Sequence, residues 1–501
     1  MRNNLQPREY QKNIANSVSS ENSIIALPTG LGKTVIALIV AENRLKIHPE
    51  GKIVLLAPTK PLVFQHASFF TNNGIHCDVL TGEELPDSRS KLWESSQIIS
   101  ATPQTVLNDV KSERVHLKNF VLSVFDEAHR CIKDYSYTAL ADFYMKQLLN
   151  PLILGLTASP GGSKSRIEEI ASNLFASKIE SRSESDIDVK PYVEDIDINK
   201  IVVVLPVEVQ DISNQLKELL DEKIKKLVAL KIIFSPYRSK RILLDARQKI
   251  LQRLKSNKNQ PYLYGALVNQ SQAIIIYHAI ELAESQGLVS LSKYFERQVN
   301  SSTKSAKGLN SDVRWISVKE KTAKYSSVVK NPKIEFLIKI LSEQKYGKAI
   351  IFTQYRDTLN DIIENLKNKQ FKVGKFVGQA NRDRDKGLNQ KMQKETIRSF
   401  ENGDFNILVS SSIGEEGLHI PDVDIVIFYE AVPSEIRSIQ RRGRTGRTSS
   451  GKVFILLAKD TIDESYYYSS VSKEKKMKRI VNKIDLPPAK KTNKDTLLHY
   501  M

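Results

Sequence analysis

Residues 26–34 read Ala-Leu-Pro-Thr29-Gly30-Leu-Gly32-Lys33-Thr34, with two glycines, an amine and two hydroxyls close together. They follow an apolar run and open a helix-like segment. In that setting glycines let backbone N–H groups wrap a phosphate, and a lysine reaches the outer oxygens. The Thr34 hydroxyl would then ligate Mg²⁺. The first position of the usual eight-residue pattern is Leu27 rather than glycine. Further along, Asp126-Glu127-Ala-His129 ends a second apolar run, at the strand end where parallel sheets bind ligands. Asp126 suits Mg²⁺ coordination and Glu127 suits polarising a water, whereas His129 would cap or pack. Together the two stretches describe a site for ATP and Mg²⁺.

Such a site needs a sheet to hold it. Apolar runs at 24–27, 52–57, 78–80, 97–100, 122–125 and 152–156 alternate with helical patterns at 34–46, 61–72 and 103–110. That alternation predicts a parallel α/β sheet. A second series has strands at 349–353, 373–376, 406–410, 425–429 and 452–458, with helices at 357–367, 391–401 and 434–442. Between them, residues 211–298 read as long helices, with Leu243, Ala246, Ile250 and Leu254 at helical spacing. The stretch 300–312 lacks periodicity and reads as a mobile loop. The expected division is a first sheet domain at 1–195, a helical insert at 196–325, a second sheet domain at 326–486 and a flexible basic tail at 487–501.

Composition bounds the partners. With 501 residues, 41% apolar and 26% charged, several soluble domains are expected. No apolar run spans a membrane and no signal core opens the chain, so a cytoplasmic, nucleoid-associated protein is expected. Cys77 and Cys131 are too few for a zinc or [4Fe–4S] site and read as buried small hydrophobes. The net charge is +18, and it is uneven. Residues 223–258 hold twelve Lys/Arg against a single acid, Asp245, which amounts to +11. Lys225, Lys226, Arg238, Lys240 and Arg241 are the expected phosphate contacts there, with Phe234 and Tyr237 available for base stacking.

The ordered motifs resemble those of superfamily 2 helicases of the DEAH-box type. Ala57-Pro-Thr59-Lys60-Pro-Leu62, Thr102-Pro-Gln-Thr105 and Thr157-Ala-Ser159 match three further motifs in sequence order. The resemblance implies two RecA-like parallel-sheet motor domains with the α-helical insert between them. It implies that Arg8 and Gln11 support and face the adenine, with Thr29, Gly30, Gly32, Lys33 and Thr34 around the phosphates. Thr59, Lys60 and Thr102 would line the nucleic-acid strand, joined by Thr353 and Gln354 of Ile350-Ile-Phe-Thr353-Gln354-Tyr355. Thr157-Ala-Ser159 would couple hydrolysis to grip. Gln440-Arg-Arg-Gly-Arg444-Thr-Gly-Arg447 would bring Arg444 and Arg447 to the γ-phosphate, with Gln440 positioning the attacking water. His419 stands where the family often carries an aspartate.

The insert, together with 377–380 and 429–442, resembles the Hef and FANCM-like branch. That implies an ATP-dependent DNA helicase or translocase on branched or forked DNA in repair, tracking one strand 3′→5′. The alternative is a double-stranded-RNA-stimulated ATPase of the Dicer-like branch. No nuclease-like segment follows the motor, so a motor without cutting activity is expected. The tail residues Lys494, Leu497 and Tyr500 loosely resemble a sliding-clamp peptide, against the alternative of a frayed basic tail.

Overall fold

Parallel sheets form where strands are apolar on both faces, because helices then cover each side. In the computed structural model, two such sheets are present. It describes residues 5–147, 151–193, 196–256, 260–379, 387–412, 421–443, 445, 451–481, 484 and 486. The first sheet contains β1 (Ser23–Ala26), β2 (Lys52–Leu56), β3 (Asp78–Leu80), β4 (Ile98–Ala101), β5 (Phe120–Phe125), β6 (Ile153–Thr157) and β7 (Lys178–Ser181). Their order is β3-β4-β2-β5-β6-β1-β7, and all pairs are parallel. The phosphate loop therefore leaves the strand next to the β7 edge, and Asp126 follows β5 two strands further in.

The second sheet contains β8 (Ile196–Val203), β9 (Ala349–Phe352), β10 (Val373–Phe376), β11 (Ile407–Ser410), β12 (Ile425–Phe428) and β13 (Gly451–Ala458), in the order β10-β11-β9-β12-β13-β8. Strands β9, β11 and β12 are buried throughout. Each fully buried Ile or Phe on them contributes roughly 1.5–3 kcal/mol. Residues 196–203 belong to this sheet, not to the insert. They pair with β13 over their whole length, but as an edge strand they alternate Asp197, Asn199 and Lys200 with apolar residues. Only one face is covered, so the segment lacks the apolar run of a central strand.

The insert is a bundle of the helices Val207–Ala229, Lys240–Ser256, Pro261–Glu281, Leu288–Val299, Lys304–Asn310 and Val313–Ser326. Residues 300–312 are thus not a loop throughout. Thr303 caps the short helix by accepting from the Ala306 N–H at 3.3 Å, while Leu309 enters the bundle core. That core, with Leu216, Ile276, Leu291 and Trp315, also takes in Ala458 and packs against Tyr355 and Ile462 of the second sheet domain.

Polar contacts fix the same seam. The π-helical turn Leu282–Gln286 ends at Gly287, whose φ is +99°, and a Cβ there would lie 2.3 Å from the Asn331 amide. Asn331 donates to the Gln286 carbonyl (3.0 Å) and the Tyr429 hydroxyl (2.8 Å). The Lys333 ammonium donates to the carbonyls of Ser285 and Tyr429, both at 3.0 Å, and pairs with Asp463. Lys333 and Asp463 are fully buried, and removing one partner of such a pair leaves an uncompensated charge. Lys333→Met is expected to cost about 3–5 kcal/mol, read as a shift in the urea unfolding curve. The insert and second sheet therefore form one packed unit.

Candidate nucleotide site and nucleic-acid path

The loop after β1 turns through Gly30 (φ +90°) and Gly32 (φ +76°), conformations that L side chains avoid. Helix Lys33–Ile47 starts at once, with no side-chain cap on its first turn, so its amides remain for an anion. The Lys33 ammonium donates to the carbonyls of Leu27 (2.9 Å) and Pro28 (3.2 Å) and lies close enough to lower the pKa of Asp126. Gln11 packs on the loop: its amide donates to the Leu31 carbonyl (3.2 Å) and accepts from the Arg8 N–H (2.9 Å). The Arg8 guanidinium lies over the Tyr192 ring at 5.1 Å. Gln11 is thus committed to the loop itself, and facing a base would require it to let go of Leu31.

Asp126 is buried at the end of β5. Burial would raise its carboxyl, but His66 and Lys33 hold it below the usual carboxylate range. Its Oδ2 lies 2.8 Å from His66 Nε2, and its Oδ1 accepts from the Glu127 N–H at 2.9 Å. Tyr137 donates to the Asp126 carbonyl at 2.7 Å. Glu127 has φ +50°, a strained value for a residue with a side chain. Its carboxylate lies 3.3 Å from His129 Nδ1, and the same nitrogen lies 3.3 Å from Thr157 Oγ1. His129 is thus buried beside the Thr157-Ala-Ser159 stretch, within hydrogen-bond distance of Thr157 and ion-pair distance of Glu127. The Ser159 hydroxyl in turn meets Met477 Sδ at 2.6 Å, on a helix (Ile462–Val481) that belongs to the second sheet domain.

Both sheet domains meet at the phosphate loop. A Cβ on Gly443 would fall 2.4 Å from Thr29 Oγ1 and 2.5 Å from Thr29 Cβ, so this glycine is what allows the approach. Gln440 is buried nearby in sequence, and neither of its amide atoms has a hydrogen-bond partner among the described residues; the same holds for Thr29 Oγ1. Buried polar atoms without partners are costly, and a triphosphate with its water would satisfy them. Among the described residues no cluster of three metal-ligating side chains occurs. By the family resemblance, Asp126, Thr34 and substrate oxygens would hold a divalent cation, and an all-oxygen donor set fits Mg²⁺. Arg444, Arg447 and His419 lie outside the described residues, as does the tail 487–501.

The expected strand contacts separate into two groups. Thr59 and Lys60 open the helix Lys60–Asn72, where Thr59 Oγ1 has no hydrogen-bond partner among the described residues and Lys60 pairs with Glu83 at 2.5 Å. Thr102 caps the helix Pro103–Lys111, its hydroxyl 2.7 Å from Thr105 Oγ1. Thr353 does not fit the expectation. It is fully buried, its hydroxyl turned to Gln286 of the insert at 3.5 Å, because β9 lies between two other strands. Gln354 accepts from Arg437 (3.1 Å), while its N–H donates to Glu430 (2.9 Å). Glu430 also lies 3.4 Å from the Gln286 amide and pairs with the buried Arg441.

The basic insert also differs in detail. Lys226 pairs with Glu222 (2.6 Å), Arg238 with Asp221 (2.6 Å), Lys240 with Glu281 (2.8 Å) and Arg241 with Asp245 (3.9 Å). Three of these acids, Asp221, Glu222 and Glu281, lie outside residues 223–258, so counting charge within that segment overstates the repulsion. Within residues 223–258, the exposed cations without a carboxylate partner among the described residues are Lys225, Lys231, Arg247, Lys249, Arg253 and Lys255. Phe234 and Tyr237 are 82% and 75% exposed, rather than part of the bundle core, with the Lys249 ammonium over the Phe234 ring. His66, Tyr137, Glu430 and Met477 gave no sequence signal, being single residues in ordinary helix or strand patterns.

A phosphate loop in one parallel sheet, closed by an arginine-rich helix end from a second, defines a helicase-type ATPase. Models of known families agree. One described as "DEAD/DEAH box helicase" matches residues 8–167, "Helicase conserved C-terminal domain" matches 332–449, and "Putative ATP-dependent RNA helicase, helical bundle" matches 208–326. The crystal structure of the Hef helicase domain from Pyrococcus furiosus aligns with a TM-score of 0.68 at 41% identity, covering 93% of this chain and 98% of that one. The chain belongs to the superfamily 2 helicases, in the Hef and FANCM-like branch. The "Putative ATP-dependent RNA helicase" of Methanocaldococcus jannaschii is 37% identical over 95% of this chain and 61% of its own length. For the "ATP-dependent DNA helicase mph1" of Neurospora crassa the values are 34%, 92% and 42%. The chain thus spans less than two thirds of either curated relative. No helix among the described residues is long and apolar enough to cross a membrane.

Proposed function

We propose that this chain is an ATP-dependent DNA helicase or translocase that acts on branched or forked DNA, moving 3′→5′ along one strand. The observation that carries the reading is the Thr29–Gly443 contact across the phosphate loop, made by a second domain to which the insert is packed. Lys33 and the loop amides bind the phosphates, Glu127 orients the attacking water, and Gln440 supplies a second contact to that water. Mg²⁺, when bound, neutralises charge on the transferring oxygens. Arg444 and Arg447 complete the site from the second domain. Movement of that domain carries the insert with it, so the exposed cations and aromatics of the insert shift on the DNA during each cycle.

Relatives named as DNA helicases favour DNA, while one relative and the helical-bundle family model carry RNA helicase in their descriptions. ATPase rates with single-stranded, duplex, forked and four-way DNA and with duplex RNA decide the matter. Forked or four-way DNA is expected to stimulate most; greater stimulation by duplex RNA would support the Dicer-like alternative. Clamp binding through 494–501 is a separate proposal, tested by pull-down with and without the tail.

The six exposed cations of residues 223–258 that lack a carboxylate partner make the affinity salt-dependent. Log K for forked DNA is expected to fall with a slope of about −5 against log salt if all six meet phosphates. Replacing Arg247, Lys249 and Arg253 by alanine should lower the slope by about one each, and an unchanged slope would place the contacts elsewhere.

A further inference from the structure

Asp126 does not stand alone at the end of β5. Its Oδ2 lies 2.8 Å from Nε2 of His66, two turns into the helix Lys60–Asn72, and both side chains are buried. With Asp126 ionised, Nε2 must carry the proton and donate, so the contact sets the imidazole tautomer. The other carboxylate oxygen already accepts from the Glu127 N–H, so these two donors together determine how the carboxylate is turned. The helix bearing His66 touches two further parts of the motor. Its N-terminus begins at Thr59, whose hydroxyl has no hydrogen-bond partner among the described residues, next to Lys60. One residue pair before His66, the ring of Phe64 lies under the ammonium of Lys394, which belongs to the second sheet domain, at 4.9 Å. A single rigid helix thus spans the start of the strand path, the second domain and the carboxylate.

We infer that His66 is a positioning residue that holds Asp126 in its metal-binding orientation and makes that orientation depend on what the helix Lys60–Asn72 contacts. This rests on the reading of Asp126 as the Mg²⁺ carboxylate. On this reading His66 acts through Asp126, the carboxylate it contacts. Partners that orient a metal-binding carboxylate typically matter about 10–100-fold for metal affinity.

The test uses the full chain with His66→Leu, which removes the donor but keeps bulk, and His66→Gln, whose amide N–H can replace it. Binding of a fluorescent, non-hydrolysable ATP analogue is titrated with Mg²⁺, alongside binding in EDTA, thermal unfolding and the ratio of DNA-stimulated to basal ATPase. In His66→Leu the Mg²⁺ requirement is expected to rise about 10–100-fold, with nucleotide binding in EDTA unchanged and the stimulation ratio reduced. His66→Gln is expected to recover most of both. Unchanged Mg²⁺ dependence or an unchanged stimulation ratio in His66→Leu would overturn the inference. So would a His66→Gln variant as impaired as His66→Leu. Asp126→Asn separates the two levels of the argument: if it leaves Mg²⁺-dependent binding intact, the metal assignment itself fails, whereas if it abolishes that binding while His66→Leu does not, only the role of His66 fails.

Discussion

Lys33→Ala is expected to abolish ATP turnover and unwinding while leaving DNA binding largely intact. The ammonium is placed to reach the outer phosphates, within reach of the carbonyls of Leu27 and Pro28 and near the ionised Asp126. An alanine would leave the charge of the transferring phosphoryl group unbalanced at the point where it is greatest. On the proposed path, DNA binding would draw on the insert and on the helix starts at Thr59 and Thr102, away from the phosphate loop in sequence. A fall of at least about 10³-fold in kcat is therefore expected, since this cation acts on the same charge as an arginine finger. Steady-state ATPase and fluorescence anisotropy with forked DNA check the two halves; normal turnover would refute the assignment of the site.

Gly443→Ala should be almost as damaging, for a different reason. The added Cβ would sit 2.5 Å or less from the Thr29 side chain, and Thr29 is β-branched in a tight loop, with little room to yield. The two domains must then separate by a fraction of an ångström or more at the phosphates. Misplacement on the ångström scale typically costs about 10²-fold in rate. ATP binding to the first domain and the thermal unfolding midpoint should change little, because the strands and helices on either side are untouched. Wild-type turnover in this variant would mean that the Thr29–Gly443 approach is not part of the cycle.

The sequence exposed those parts of the molecule that are local. Central strands such as β9 and β12 must be apolar on both faces, so they stand out as runs, and the phosphate loop needs its glycines, lysine and threonine within a few residues. Edge strand β8 was hidden because one uncovered face lets Asp197, Asn199 and Lys200 interrupt the pattern. The helix Lys304–Asn310 was hidden because its Ser/Lys/Gly composition resembles a loop, and its stability comes from a threonine cap and one leucine in a core built elsewhere. Contacts between distant segments left no trace: Glu281 neutralises Lys240 from a different helix, Gln286 covers Thr353, and His66 meets Asp126 only because β2 and β5 are neighbours. The local motifs were therefore readable, and the partners of their residues were not.

Nucleotide is expected to move the second domain and the insert together relative to the first domain. Cys77 and Cys131 are buried, with thiols pushed up to about 12, so dyes can be directed to introduced cysteines. Energy transfer is measured between exposed positions in Glu50→Cys and Gln252→Cys, in the first domain and the insert, and separately between Asn368→Cys and Gln252→Cys, in the second domain and the insert. Each pair is compared without nucleotide, with a Mg²⁺-bound non-hydrolysable ATP analogue and with ADP. The first pair is expected to change with nucleotide state and to lose that response in Lys33→Ala, while the second pair stays constant. A constant first pair, or a second pair that changes as much as the first, would contradict the account.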